Sequence, residues 1–195
     1  MADDGEEYGV PLLNRLKTGY SACVYQPLAS LEGDCATGES DMAYWLMKSE
    51  PDEYGWDDLL RDGSTEWTGV RNHAAAKHLR AMKKDDRAFF YHSNAKPPGI
   101  VGLMEVVETG ITDPSQFDPS NKYFDPKSKP EAPRWDCVRL RYVGRFAAML
   151  SLDDLRQSFS EDELGVIKRG NRLSILPVIG ASAERLLELL GPATP

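Results

Sequence analysis

With 195 residues, 41% of them hydrophobic, the chain can bury one substantial core, and one domain with some additional sequence is the expected organisation. The formal net charge of −8 is uneven: residues 1–41 hold 8 acids and 2 bases, whereas residues 42–195 hold 23 acids and 21 bases. Such an acidic chain is ill suited to gripping long stretches of nucleic acid, because Lys and Arg neutralising phosphates supply most non-specific affinity, but its near-neutral remainder can still carry a local basic patch.

No apolar run approaches the roughly 18 residues that span a bilayer, and MADDGEEYG is acidic where an export signal would be basic and then apolar. Cys23, Cys35 and Cys137 are odd in number and far apart, which argues against a disulfide framework and fits a reducing cytosol or nucleus. A protein without a membrane segment is expected, cytoplasmic in a bacterium and nuclear in a eukaryote.

Residues 1–41 show no sustained period. VPLLNRLKTGY offers at most a turn of helix, and SLEGDCATGESD has the composition of a linker. The segment reads as a poorly ordered extension, with Met42, directly before the first convincing strand, as a candidate start and residues 42–191 as the domain. From there YWLMK (44–48) reads as a strand and EYGWDDLLRDG as a short helix closed by Gly63. His73 to Met82 is helical, with Ala75, Leu79 and Met82 on one face. RAFFYHS and GIVGLMEVVE are the clearest strands, separated by the turn-forming NAKPPG.

TDPSQFDPSNKYFDPKSKPEAPR follows, 23 residues with five prolines, too long for an ordinary connection and therefore expected to be a functional loop. WDCVRLRYV is a strand with Val138, Leu140 and Tyr142 on one face and Arg139 and Arg141 on the other. SLDDLRQSF opens a helix on a Ser cap with Asp154 three residues on. SEDELGVIKRG gives a short turn, RLSILPV a last strand with Arg172 and Ser174 on one face, and SAERLLELLG a helix stopped by Gly191. About five to six strands among short helices predict an α+β domain with a small curled sheet.

Catalytic signatures are missing. There is no glycine-rich phosphate loop of standard spacing, no G-x-S-x-G elbow and no C-x-x-C pair. His73 and His78 lie five apart, about 140° around a helix, which spoils a shared metal site. His92 and Ser93 are neighbours on a strand and point to opposite faces, so they form no nucleophile–base dyad by themselves. Each histidine is read as structural, and the acid pairs Asp57–Asp58 and Asp153–Asp154 as helix-start carboxylates. No metal and no cofactor is expected.

Four short polar peptides remain: KSEP (48–51), WTGVRN (67–72), YHSN (91–94) and GNRLS (170–174). Singly, each is also explained by a strand end, a helix cap or a turn. Together they supply what one concave site needs: an aromatic plane, backbone N–H groups at a helix start, and amides and hydroxyls that read an edge.

These peptides, in register with GIVGLMEVVE, FDP…YFDPKS…PRW and RGNRLSILPV, resemble the EVE domain, a PUA-like module, from Met42 to about Leu190. The resemblance implies a PUA-like pseudo-barrel of about five to six curled strands surrounded by short helices. It also implies a non-catalytic pocket for a single modified base, because EVE proteins are similar to YTH domains, which read N6-methyladenine. Modified cytosines in DNA, 5-methylcytosine and 5-hydroxymethylcytosine, are the implied ligands, with modified RNA as the alternative. The pocket positions then fall on Lys48, Ser49, Trp67, Gly69, Val70, Arg71, Asn72, Ser93, Asn94, Arg172 and Ser174, and Tyr123, Phe124 and Trp135 fall where an aromatic wall would close. The partner is nucleic acid carrying a modified base, bound by a monomer. An enzyme acting on a nucleotide would need a base beside Ser93 that the sequence does not offer, and an adaptor would show an exposed apolar patch instead of a polar pocket.

Because residues 1–41 lack a period and lie outside the resemblance, deleting them should leave the melting temperature within about 5 °C of the full chain. Differential scanning calorimetry checks this, and a larger drop would show the segment docked on the core.

Overall fold

The computed structural model describes residues 42–195; the extension expected over residues 1–41 lies outside them. The described elements are β1 (Tyr44–Ser49), α1 (Trp56–Asp62), β2 (Ser64–Glu66), α2 (His73–Ala81), β3 (Arg87–His92), β4 (Gly99–Thr112), β5 (Asp136–Ser151), α3 (Leu152–Ser158), β6 (Ile175–Val178), α4 (Gly180–Leu190) and β7 (Ala193–Thr194). Single 3-10 turns occur at Pro114–Gln116 and Gly165–Ile167. The strands form one sheet in the order β2-β5-β4-β3-β1-β6, with β7 added to β5. β1 and β3 run parallel and the other pairs antiparallel.

This is the expected α+β class, a curled sheet flanked by short helices. The sheet has seven strands because β2 and β7, of 3 and 2 residues, are too short to leave a period in the sequence. The pairing of β4 with β5 shifts register four times. Such irregularities bend a strand and increase its twist.

Both faces of the sheet are covered, and the alternation of side chains shows why β1 and β3 read as continuous apolar runs. Trp45, Met47, Ala88 and Phe90 point into one core with Leu59 of α1 and Leu79 of α2. Leu46, Phe89 and Tyr91 point into the other with Leu155 of α3 and Leu186 of α4. The helix ends follow the chemistry of their caps. Asn72 Oδ1 accepts from the amides of Ala74 and Ala75 at 2.9 and 3.2 Å. Ser151 and Asp154 bond reciprocally in a capping box, as the sequence predicts.

One contact depends on a missing side chain. Trp56, 1% exposed, packs edge-on to Phe90 with ring centroids 5.2 Å apart, and a Cβ built on Gly102 would lie 2.1 Å from its ring. Glycine in the middle of β4 is therefore the space that admits Trp56. Gly102→Ala should force the indole or the strand aside and cost about 1–3 kcal/mol. Urea denaturation monitored by tryptophan fluorescence measures it, and an unchanged midpoint would refute the packing argument.

Candidate functional site

Parallel pairing brings the C-terminal ends of β1 and β3 to one edge, with Ser49 opposite His92. The Ser93 amide donates to the Ser49 carbonyl at 2.9 Å, and the Lys48 amide to the Ser174 carbonyl at 2.8 Å. The segments after β1, after β3 and before β6 thus meet at one place. The WTG peptide continues β2, with the Trp67 amide donating to the Val138 carbonyl of β5 at 2.8 Å, and lines one cavity with them.

A cavity of about 860 Å³ opens at this edge. Of the residues singled out by sequence, Lys48, Ser49, Trp67, Gly69, Val70, Ser93, Tyr123, Arg172 and Ser174 line it. Arg172 and Ser174 do so from an irregular segment instead of a strand face, since β6 begins only at Ile175. The reason is local. Asn171 Oδ1 accepts from the Leu173 amide at 3.0 Å and its Nδ2 donates to the Gly165 carbonyl at 2.8 Å, so a side chain takes bonds that would otherwise join the ladder.

The wall chemistry is polar with an aromatic component. Ser49 Oγ donates to the Tyr54 carbonyl at 2.7 Å and Ser93 Oγ to the Ser49 carbonyl at 3.2 Å, leaving both oxygens able to accept. Lys48 is half-buried, its Nζ donates to the Asn171 carbonyl at 3.3 Å, and burial pulls its pKa below the ordinary lysine value. Trp67, 8% exposed, packs edge-to-face on Phe90 with centroids 5.6 Å apart. Gly69 has φ +79°, and a Cβ there would sit 2.5 Å from the Tyr123 ring. Only glycine supplies both that backbone conformation and that close approach.

Tyr123 belongs to the long proline-rich loop, and one buried carboxylate holds that loop to the WTGVRN peptide. Asp113 is fully buried. Its Oδ2 accepts from the Gly69 amide at 2.9 Å and from Arg71 Nη1 at 2.8 Å; its Oδ1 accepts from the Ser115 amide at 2.9 Å and hydroxyl at 2.6 Å. Arg71 Nε donates to the Tyr123 carbonyl at 2.6 Å and Nη2 to Ser115 Oγ at 2.9 Å. Burial pushes the Asp113 carboxyl up, but the hydrogen bonds from Ser115, Arg71 and Gly69 outweigh it and hold the group below the ordinary aspartate value. Gln116, also fully buried, donates to the carbonyls of Asp113 and Trp135 at 2.7 and 2.8 Å, and its Oε1 accepts from Ser128, Arg134 and Trp135.

Five of the candidates stand outside the cavity wall. Arg71 is the strut just described, and its guanidinium lies over the Trp135 ring at 5.4 Å. Trp135 is 4% exposed, stacks on His73 at 4.8 Å and donates Nε1 to Asp125 at 2.7 Å, so it supports Arg71 from behind. Asn72 spends its side-chain oxygen on the α2 cap. Asn94, at φ 55°, makes a turn and donates to Glu50 at 3.2 Å. Phe124 is exposed and lines none of the cavities described, so Tyr123 alone of the three expected wall aromatics reaches the cavity.

Sequence reasoning missed the carboxylates Glu50, Asp52, Glu53 and Glu66 and the cation Lys122 in the wall, as well as the organising role of Asp113. The D-P-S spacing was the available signal for the last, since an aspartate before proline opens a turn by bonding two residues on.

His92 Nε2 accepts from the Trp56 amide at 3.1 Å, a structural task, and burial lowers its pKa. Burial likewise pushes the Cys137 thiol up to about 12, which leaves it unreactive. Among the described residues no group of three or more His, Cys, Asp or Glu is placed to hold a metal, and no helix is long and apolar enough to cross a membrane.

The class of protein is mixed α+β, a seven-stranded sheet that does not close, with four helices among the described residues and a loop-built cavity at the ends of its parallel strands. The EVE domain model matches residues 43–189, and the chain belongs to the EVE domain family. Thymocyte nuclear protein 1 of the rat is 42% identical over 130 residues, 61% of this chain and 58% of that protein, so the match spans little more than half of that relative's length. The human protein is 40% identical over 165 residues, 75% of this chain and 73% of that one. Among solved structures, human THYN1 protein in complex with 5-methylcytosine containing DNA is 36% identical with a TM-score of 0.69, covering 78% of this chain and 99% of that one.

Asp113→Ala removes the acceptor for a mostly buried arginine and for the Gly69 amide, and should cost about 3 kcal/mol. Because the folded-state pKa is depressed, this contribution is present above the unfolded carboxylate pKa and is lost as pH falls through the folded value. The stability gap between wild type and variant should therefore be constant near neutrality and narrow only below about pH 4. Urea denaturation across pH checks both size and direction; a gap that narrowed between pH 8 and 6 would contradict the assignment.

Proposed function

We propose that the domain is a non-catalytic reader that holds one modified base of DNA, a modified cytosine, in the cavity walled by Trp67, Gly69 and Tyr123. The observation that carries this reading is the pinned tyrosine. Arg71 and the glycine at position 69 hold Tyr123 in the wall of a cavity of about 860 Å³ whose other walls offer hydroxyl, ammonium, carboxylate and backbone groups. That volume falls within the roughly 300–1,000 Å³ of small-ligand sites. The solved human relative, bound to 5-methylcytosine containing DNA, supports the same ligand class.

The physical logic is that of base extrusion. A base taken out of its stack loses a few kcal/mol, which aromatic contact of about 1–3 kcal/mol and hydrogen bonds to its edge can offset. In this reading the acceptor oxygens of Ser49 and Ser93 and the donor Lys48 read that edge. Ser93 Oγ donates to a carbonyl, and among the described residues no histidine or carboxylate bonds to it, so the hydroxyl lacks there the partner that would activate it as a nucleophile. A one-base site needs few phosphate contacts, which reconciles it with a formal net charge of −8.

Tyr123→Ala should weaken binding of a 5-methylcytosine oligonucleotide by about 1–3 kcal/mol, and Tyr123→Phe should retain it, because the lost hydroxyl donates to Glu53, at 3.2 Å, and leaves the ring in place. Asn72→Asp should preserve both melting and affinity, since aspartate caps as well and the side chain lies outside the cavity. Fluorescence anisotropy with methylated, unmethylated and RNA oligonucleotides measures the three affinities, and thermal denaturation the melting. Turnover of a nucleotide by the wild type, or equal affinity of the Tyr123→Ala variant, would refute the reading.

A further inference from the structure

Lys168, Arg169 and Arg172 are exposed on the turn before β6, and the base-holding chemistry leaves the first two without a task. The nearby cations Arg156 and Arg185 pair with Asp153 and Glu163; among the described residues Lys168, Arg169 and Arg172 form no ion pair. A second cavity, of about 320 Å³, is lined by Lys48, Arg156, Lys168 and Arg169 and by no carboxylate. Lys48 and Ser93 line it and the first cavity alike, so the two adjoin. A third, of about 490 Å³, shares Arg156, Ile167 and Arg169 with the second and adds one carboxylate, Glu161, so the acid-free furrow is the second cavity itself.

The contrast in charge assigns different parts of a ligand to the two ends. The first cavity sets Glu50, Asp52, Glu53 and Glu66 against Lys48, Lys122 and Arg172, a balance suited to a neutral group. Lys48, Lys168 and Arg169, with no acid in that wall and beside an Arg156 already paired with Asp153, suit an anionic backbone. The furrow is also built to hold its shape. Gly170, at φ +81°, reverses the chain, the Asn171 amide donates to the Lys168 carbonyl at 3.1 Å, and Lys48 Nζ ties the turn to β1 through the Asn171 carbonyl at 3.3 Å.

We propose that this furrow is a phosphodiester subsite, which takes the backbone of the nucleotides flanking the one whose base enters the first cavity. Lys168 and Arg169 are its contact cations, and Lys48 stands at the junction. The proposal rests on the base-holding reading of the first cavity. It means that the strand leaves the base site across the turn before β6, so that a chain with an overall acidic balance still meets the backbone with a positive surface.

The test uses the full chain and two duplexes, one with a single 5-methylcytosine and its unmodified twin, titrated from about 50 to 200 mM salt. Lys168→Ala/Arg169→Ala is compared with Lys83→Ala/Lys84→Ala, an exposed basic pair that lines none of the three cavities. The first variant should flatten the slope of log affinity against log salt by about 2, near 0.9 for each phosphate that is no longer neutralised, and weaken both duplexes by the same factor. The second should match the wild type. An unchanged slope, an equal effect in the control pair, or disappearance of the preference for the methylated duplex would each overturn the subsite. A wild type that does not prefer the methylated duplex would instead count against the base reading, with the slopes still deciding the furrow.

Discussion

The Asp113–Arg71 pair is the constraint on which the rest of the site depends. A loop of 23 residues with five prolines cannot join a sheet ladder along its length and carries little apolar surface of its own. It is ordered instead by a buried carboxylate that receives four hydrogen bonds and by an arginine that distributes its donors to Asp113, Ser115 and Tyr123. Removing either partner strands the other in a place that water reaches poorly, so the pair is worth more as a latch than as an ion pair. Gln116 completes the loop by filling every donor and acceptor position of its amide.

Much of the scaffold was legible because its signals are periodic and local. Strands buried on two faces left apolar runs at YWLMK and RAFFYH, and the caps at Asn72 and Ser151 fell where the polar residues predicted them. β2 and β7 were not legible, since two or three residues cannot display a period and only the edges of β5 make them strands. Nor was the irregularity of Arg172 to Ser174, because the competing hydrogen bonds come from Asn171, one residue outside the apparent strand.

The site was legible as a set of peptides but not as a set of roles. Sequence places Arg71, Asn72, Trp135 and Tyr123 side by side in importance, whereas the structure orders them. Tyr123 lines the cavity, Arg71 holds Tyr123, Trp135 lies beneath Arg71, and Asn72 begins the helix behind them. Such a hierarchy depends on contacts across 42 to 52 positions of sequence, as between Arg71 and Asp113 or Tyr123, which no local pattern records. The carboxylates of the wall escaped for a related reason. Glu53 and Glu66 look like solvated charges until Lys122 and Arg139 are brought opposite them.

A cavity built from a latched loop has a thermodynamic consequence. Ordering side chains on binding costs about 0.5–1.5 kcal/mol for each flexible group, and a site that must assemble around its ligand subtracts that from affinity. Here the cost is met on folding: the glycine at position 69 lets Tyr123 close down on the peptide backbone, and Arg71 keeps it there in the absence of ligand. Under the proposed base-holding role, contact energy with the base is then available for discrimination. An added methyl group on a ring is worth only about 1–3 kcal/mol in any apolar contact, a margin that a flexible wall would lose to reorganisation and a pinned one retains.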